Sequence, residues 1–444
     1  MHEQRPIWSV FASVAAVGAL VIATLALVRS DDKAGAKVTA EASGAPSQLT
    51  VTAAEFKFNP DTLNATPGAV RIDLHNAGAI QHTLALKDDT KKTTPLVDPG
   101  KMETLDLGTL TAGTYTLICT IPGHEAAGMK ATLVVGTSPA ATTSAAAAVD
   151  PAAIDSETDK SVKDFLANAA KPLTEGQGAQ VMEPKVLPDG TKEFDLTAKV
   201  VSWEYAPGKR TDAYSYNGVV PGPTIKVNSG DKVKVVLKNE LPESTSIHWH
   251  GIVTPNDQDG VPSVTQPPVK PGESYTYQFT AVGPAVGMYH AHQDSQKQVP
   301  LGLEGAFLIG EEPLPAGVKV SQEIPLILDD YGTMSFSING KQFPATTPIV
   351  ANTGDYVLVH FMNEGYQIHP MHMHGFEAKI IATDGNPDPA PQSWDTILVA
   401  PGQRISALVK LDNPGTWLFH CHILNHAESE HGYFGMATAI VVKS

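Results

Sequence analysis

The stretch Phe419-His420-Cys421-His422-Ile423-Leu424-Asn425-His426 constrains this chain more than any other. Side chains on an extended strand alternate between faces, so His420 and His422 point one way and Cys421 the other. A thiolate suits a soft copper site, and imidazoles suit copper on either face. The tripeptide therefore places one metal behind its strand and up to two in front, joined through a few covalent bonds. A Cys between two His also arises by chance, so the upstream chain has to supply partners for it.

At 444 residues, the chain has room for about three domains of ~100–200 residues. Its 37 Gly and 34 Pro fit many short strands and turns better than long helices. The formal charge of −16 argues against nucleic acid and against adhesion to an anionic membrane surface. Cys119 and Cys421 are the only cysteines. They lie far apart, each amid histidines, which favours metal ligation over a buried inert thiol or a disulfide.

The apolar run Ile7–Val28 is long enough to span a bilayer as a helix. Arg5 precedes it, Arg29 and Asp31-Asp32 follow, and no small-residue cleavage site lies close behind. Residues 1–30 read as an uncleaved signal-anchor, with the rest of the chain held outside the cytoplasm; a cleaved signal is the alternative.

Strand-like pieces begin after a tether that ends near Ser47: Leu49–Val51, Ala69–Leu74, Thr83–Leu86, Thr114–Ile118 and Ala131–Val135, separated by turns such as Thr66-Pro67-Gly68. They predict a β-sandwich over 48–137. The low-complexity run Thr137–Asp150 reads as a linker, and Asp159–Ala170 as one short amphipathic helix, within a connecting segment 138–190. Two further β-rich regions, 191–313 and 314–444, repeat one phrase. Each has an apolar strand, a Gly-Asp turn (Gly230-Asp231, Gly354-Asp355), an alternating strand, a His cluster, then Pro-Gly before another strand (Pro271-Gly272, Pro401-Gly402). The parallel suggests two copies of one fold, and an all-β chain of three similar sandwiches.

In the first sandwich, His82 is followed by Cys119, His124 and Met129. Two imidazoles, a thiolate and a thioether are the donor set of a blue-copper site, with the thioether long and axial. This region resembles the cupredoxins, the plastocyanin-like proteins, in the order of those four residues. His75 stands outside the motif and reads as a plain surface histidine.

The second region holds His248-Trp249-His250-Gly251 and His290-Ala291-His292. Each H-x-H pair presents both rings on one face. Four imidazoles in an apolar core would each need a hydrogen-bond partner, so two such pairs point to metal. The third region adds His369-Pro370-Met371-His372-Met373-His374-Gly375. His372 and His374 share a face, and His369 points elsewhere, which matches the two-sided arrangement around Cys421.

These four phrases resemble the copper motifs of the multicopper oxidases, the laccase family, across about residues 192–444. The resemblance implies three cupredoxin-like Greek-key sandwiches in all, with a type 1 copper in the N-terminal one. It also implies type 2 copper at His248 and His372, and paired type 3 coppers at His250, His290, His292, His374, His420 and His422. A second type 1 copper would fall to His369, Cys421 and His426. Ala291 stands where a type 1 cysteine would lie in the first oxidase sandwich, so that sandwich is expected to lack one. With its motifs in two sandwiches, the chain is similar to two-domain small laccases, whose three-copper cluster forms between adjacent subunits of a homotrimer.

Two departures accompany the resemblance. The usual axial position falls on His431, which makes the later Met436 the candidate axial ligand after a short insertion. Asn425 replaces an acidic residue of some larger relatives, leaving Asp259 as the candidate proton-handling carboxylate; a turn-forming Asp-Gly is its plainer reading. The implied activity is one-electron oxidation of a phenol, metal ion or redox protein coupled to reduction of O2 to water. The rivals are a copper nitrite reductase, which shares the two-cupredoxin trimer, and a non-enzymatic copper electron-transfer module.

Overall fold

A computed structural model describes residues 47–54, 57–78, 81–98, 100–121, 124–125, 129–136, 151–168, 172–330, 334, 336–429 and 432–444. They form three pairs of β-sheets in chain order, each pair closed over its own apolar core. The all-β reading holds, and the sandwiches are built alike. In each, the opening strand runs parallel to the next long strand of its sheet: Ser47–Ala54 beside Gly68–Asn76, Lys192–Ala206 beside Lys232–Asn239, and Val320–Asp329 beside Asp355–Asn363. In each, the closing strand also has a parallel partner in the other sheet: Lys130–Val135 with Thr62–Ala65, Glu304–Ile309 with Thr224–Val227, and Ala437–Lys443 with Ile349–Asn352. Parallel neighbours cannot be joined by a tight hairpin, so the chain crosses from sheet to sheet and closes the sandwich.

One buried asparagine recurs at the same place in all three. The side-chain NH2 of Asn76, Asn239 and Asn363 donates to the carbonyls of Val97, Val269 and Val399, at 2.7, 2.8 and 3.0 Å. Their side-chain oxygens each accept the amide two residues on, from Gly78, Leu241 and Gly365, all at 2.9 Å. The asparagine thus ends its strand and starts the loop that leads to the histidines, satisfying backbone groups that the sheet no longer pairs. The Gly-Asp turns repeat as well: Asp231 accepts the amide of Asn228 at 2.6 Å, and Asp355 that of Asn352 at 2.8 Å.

Strand alternation sets which side chains fill the cores. Trp249 lies fully inside, against Tyr277, Phe279, Tyr289 and Phe307, while its neighbours His248 and His250 face out. Burying an indole of that size contributes about 4–6 kcal/mol at ~25 cal/mol per Å2, as an upper bound. Met371, Met373 and Cys421 point inward in the same way in the last sandwich.

The two histidine-rich sandwiches are joined by a smaller apolar cluster, Val286, Met288, Ala306 and Leu308 of the first with Ile327 and Met362 of the second. Arg404 crosses that joint to donate to the Val286 carbonyl at 2.9 Å, and the Trp203 indole donates to Gly340 at 2.7 Å.

The helix before these sandwiches spans Pro151–Asn168, longer at its start than the expected 159–170. Proline is tolerated in a first helical turn because its missing N–H has no partner there anyway, so Pro151 opens the helix and does not exclude it. Phe165 packs against Phe343, Ala427, Ala437 and Ala439 of the last sandwich. No helix among the described residues is long and apolar enough to cross a membrane. The Ile7–Val28 run and the linker Thr137–Asp150 lie outside the described residues.

Candidate metal centres

The first centre gathers His82, Cys119 and His124, whose ligand atoms all lie within 4.8 Å of one another. Cys119 follows the strand Gly113–Ile118, and the loop back to Lys130–Val135 carries His124 and Met129. Two backbone bonds set that loop: the Cys119 amide donates to Met129 O at 3.2 Å, and the Met129 amide donates to His124 O at 2.9 Å. The Cys119 sulfur sits 3.3 Å from His124 Nδ1. His82 is fully buried with neither ring nitrogen hydrogen-bonded, and burial lowers its pKa to about 4. A buried imidazole without partners costs free energy unless something binds it, and this ring, with His124 and a thiol beside it, fits copper.

The second centre is the same arrangement in the last sandwich. His369, Cys421 and His426 are buried with ligand atoms within 4.8 Å of one another. Cys421 Sγ lies 3.7 Å from His369 Nδ1 and 3.6 Å from His426 Nδ1. Burial lowers His426 to about 4 and pushes the Cys421 thiol up to about 12, so metal uptake here must displace a proton. The backbone pattern repeats, with Cys421 N–H to Met436 O at 3.0 Å and Met436 N–H to His426 O at 2.8 Å. Met436 therefore occupies the register that Met129 has in the first sandwich, and it is fully buried. The extra residues between form a two-stranded bulge, Glu428–Ser429 against Gly432–Tyr433; His431 lies outside the described residues.

Sequence reasoning missed Asp330. It is fully buried, and its carboxylate accepts from His369 Nε2 at 2.8 Å, from the Gln367 amide at 2.7 Å and from the Tyr366 amide at 3.0 Å. No spacing rule links it to His369, since the two meet only through the fold. Gly365 makes the contact possible, because a Cβ there would lie 2.4 Å from Asp330 Oδ2. Phe336 was missed as well; its ring stacks on His426 at 4.2 Å between centroids.

The middle sandwich has no such centre. His82 and His369 sit six residues after the repeated asparagine and pair with Val97 and Val399. At the equivalent place Thr245 pairs with Val269 and its hydroxyl donates to Gln298 at 2.8 Å. Ala291 stands buried opposite it in the pattern. Thr and Ala cannot hold copper here.

Eight further histidines form two groups of four. His248, His250, His290 and His292 lie 5.3–6.2 Å apart between ring centroids. His248 and His290 face each other across paired strands. His372, His374, His420 and His422 lie 4.8–5.8 Å apart, with His372 opposite His420. His292, His374 and His422 are exposed, and only His420 is buried. Among the described residues no ring contact joins one group to the other.

Neighbouring oxygens fix the outer ring nitrogens. His248 Nδ1 lies 2.9 Å from Asp259 O and 3.4 Å from its carboxylate, and His290 Nδ1 lies 3.0 Å from Ala291 O. His372 Nδ1 is 3.0 Å from both Asp395 O and Thr396 Oγ1, and His420 Nδ1 is 2.9 Å from Cys421 O. Each ring so held turns its other nitrogen outward, as metal-binding histidines do. Burial, then the nearby Arg404 cation, lowers His250 to about 4. The Arg404 guanidinium lies 2.7 Å from where a Cβ of Gly251 would be, which explains glycine after that histidine.

Sandwiches with two buried Cys-His-His sets and eight outward imidazoles define a copper protein of cupredoxin build. Family models bear on the particular kind: multicopper oxidase models match residues 197–313 and 319–444, and a cupredoxin-like domain model matches 18–135. The chain is 33% identical to a multicopper oxidase of Staphylococcus aureus over 186 residues, 40% of either protein. It superposes on the blue copper oxidase of Nitrosomonas europaea at 30% identity, covering 56% of this chain and 85% of that one, with a TM-score of 0.53. The multicopper oxidase mgLAC matches at 34% identity, 56% and 86% coverage, and a TM-score of 0.53. The chain belongs to the multicopper oxidase family, a class of copper oxidoreductases. The matched stretch spans less than half the length of the curated relatives, 40% of the Staphylococcus aureus protein.

Proposed function

We propose that this chain is an oxidase that draws four single electrons from a reducing substrate, a phenol, a metal ion or a redox protein, and with four protons converts O2 to two waters. In this reading, residues 48–137 form a blue-copper electron-transfer domain, and 191–313 and 314–444 form the oxidase body. The observation that carries the proposal is the two-sided strand: Cys421 closes a buried centre behind it, and His420 and His422 open forward into a group of four imidazoles. A matching group of four stands on the other sandwich.

Copper bound at these residues supplies the one-electron redox steps and the reduction of O2. His369, Cys421, His426 and Met436 would hold a type 1 copper, and His82, Cys119, His124 and Met129 another. His248 and His372 would hold type 2 copper, and His250, His290, His292, His374, His420 and His422 the type 3 pair. The Cys421 backbone links the two sides of its strand through a few covalent bonds. Asp259, half-exposed beside His248, can pass protons from solvent at its carboxylate. Because the two groups of four are separate within one chain and open to solvent, each is completed by a neighbouring subunit, in a homotrimer. The Ile7–Val28 run anchors this assembly outside the cytoplasm.

Metal analysis with EPR and O2 uptake tests the reading. The expected result is two blue type 1 centres, one type 2 centre and one EPR-silent pair per chain, with one O2 consumed per four electrons and no peroxide released. Substitution Cys421→Ser abolishes uptake. Nitrite-dependent oxidation of a mediator without O2 uptake overturns the proposal in favour of a nitrite reductase, and neither activity leaves an electron-transfer module.

A further inference from the structure

The chain holds two copies of one buried Cys-His-His-Met arrangement, which makes their differences informative. Backbone register, burial and the sulfur-bearing fourth residue are shared. Two differences bear on the hydrogen bonds to the ligands.

The first is the residue after the leading histidine. In the N-terminal centre it is Thr83, whose amide N–H donates to Cys119 Sγ at 3.4 Å, with the Thr83 hydroxyl 3.6 Å from the same sulfur. In the C-terminal centre the corresponding residue is Pro370, which has no N–H to give. The Ile423 amide is directed at Cys421, so that sulfur keeps a backbone donor but lacks the one supplied by Thr83. A donor on the sulfur draws negative charge away from the metal. It disfavours the more highly charged oxidised state and raises the potential, a recognised lever at blue-copper sites.

The second feature lies on the leading histidine itself. His369 gives its outer N–H to the buried Asp330 carboxylate at 2.8 Å, whereas the outer nitrogen of His82 has no hydrogen-bond partner. A carboxylate behind an imidazole makes the ring a stronger electron donor, stabilising the oxidised metal and lowering the potential. Both differences act in the same direction.

We propose that the two centres are ranked, the Cys119 centre having the higher reduction potential and the Cys421 centre the lower. An electron given to the chain by an external one-electron reductant then comes to rest on the Cys119 centre first. When the Cys421 centre passes its electron across, it is oxidised and the Cys119 centre reduced, one for one. The N-terminal domain on this view stores an electron beside the oxidase instead of driving it downhill. Asp330 is a positioning residue whose charge helps set the order.

This inference rests on the proposed reading that both sets hold type 1 copper. The test is an anaerobic redox titration of the copper-loaded full chain, following blue absorption and EPR. Cys119→Ser and Cys421→Ser leave one blue centre each and so assign the signals. The expected outcome is an electron partition favouring the Cys119 centre by about tenfold or more, which is ~59 mV or more for a one-electron couple. Equal potentials, or the reverse order, overturn the ranking while leaving the oxidase reading intact. A single blue centre in the intact chain overturns the reading beneath it. Asp330→Asn is expected to raise the potential of the Cys421 centre with its blue spectrum retained, and an unmoved potential refutes the part assigned to Asp330. Thr83→Pro is expected to lower the Cys119 potential. Because the comparison of the two native centres needs neither of these substitutions, a misfolded variant does not blunt the test.

Discussion

At the scale of single residues, burial decides how the ligand histidines behave before any metal arrives. His82 and His426 are almost wholly enclosed and held near pH 4, against an ordinary value of 6.5. In the unfolded chain both rings take up a proton as pH falls through 6.5; in the folded chain they refuse it until about 4. The unfolded state therefore binds more protons in this window, and stability falls as pH is lowered across it. Each ring contributes about 3 kcal/mol of that loss, at ~1.4 kcal/mol for every tenfold drop in proton affinity. Urea unfolding of the metal-free protein is expected to show full stability above pH 6.5 and a steady decline towards pH 4. Copper-loaded protein should start more stable but decline at least as steeply, since metal on the nitrogens and thiolates shuts protons out of the folded state altogether. A flat profile for the metal-free protein would show that these rings are not enclosed as described.

At the scale of strands and turns, the sites are made by period-two alternation closed off by tight turns. Gly260 illustrates the turn half of that. Its φ is +89°, and a Cβ there would lie 1.7 Å from the Ile247 carbonyl oxygen, beside the strand that carries His248. Gly230 has the same φ of +89° but open space around it. Alanine at Gly230 meets backbone strain alone, about 1 kcal/mol. Alanine at Gly260 meets strain and backbone collision, so Gly260→Ala should cost about 3 kcal/mol or more and displace Asp259 from His248. Denaturant midpoints of the two variants check this, and equal losses would sink the argument. The same local logic explains what the sequence makes legible. H-x-H, H-C-H and the inward Trp249, Cys421 and Met371 follow from alternation alone, and so does the two-sided strand. Asp330 does not, because it reaches His369 from just beyond the end of another strand, Val320–Asp329, and nothing local marks it. The shared interval from Asn76 to His82 and from Asn363 to His369, with Thr245 at the same interval from Asn239, was present in the sequence and would have located the missing third centre. The bulge that carries the chain to Met436 was readable as an insertion, but only the repeated backbone bonds show which residue regains the register.

At the scale of the whole molecule, the proposed reading gives one chain both halves of an eight-histidine arrangement, and among the described residues no ring contact joins them. Most oligomers close by symmetry, and complementary patches on one subunit then meet head to tail around a ring. A trimer closed in this way has three seams, each taking one group of four from each of two neighbours. Complementation tests this without a structure of the assembly. His250→Ala disables the first group and His420→Ala the second, so neither variant alone should consume O2. Unfolded together in equal amounts, refolded and loaded with copper, the two variants form mixed rings. A seam is intact when the His420→Ala chain supplies the first group and the His250→Ala chain the second, which random assembly gives at about one seam in four. Recovery of roughly a quarter of native O2 uptake is the expected outcome. If the eight histidines instead met within a single chain, every chain in the mixture would carry a broken set, and no activity would return however the subunits assembled.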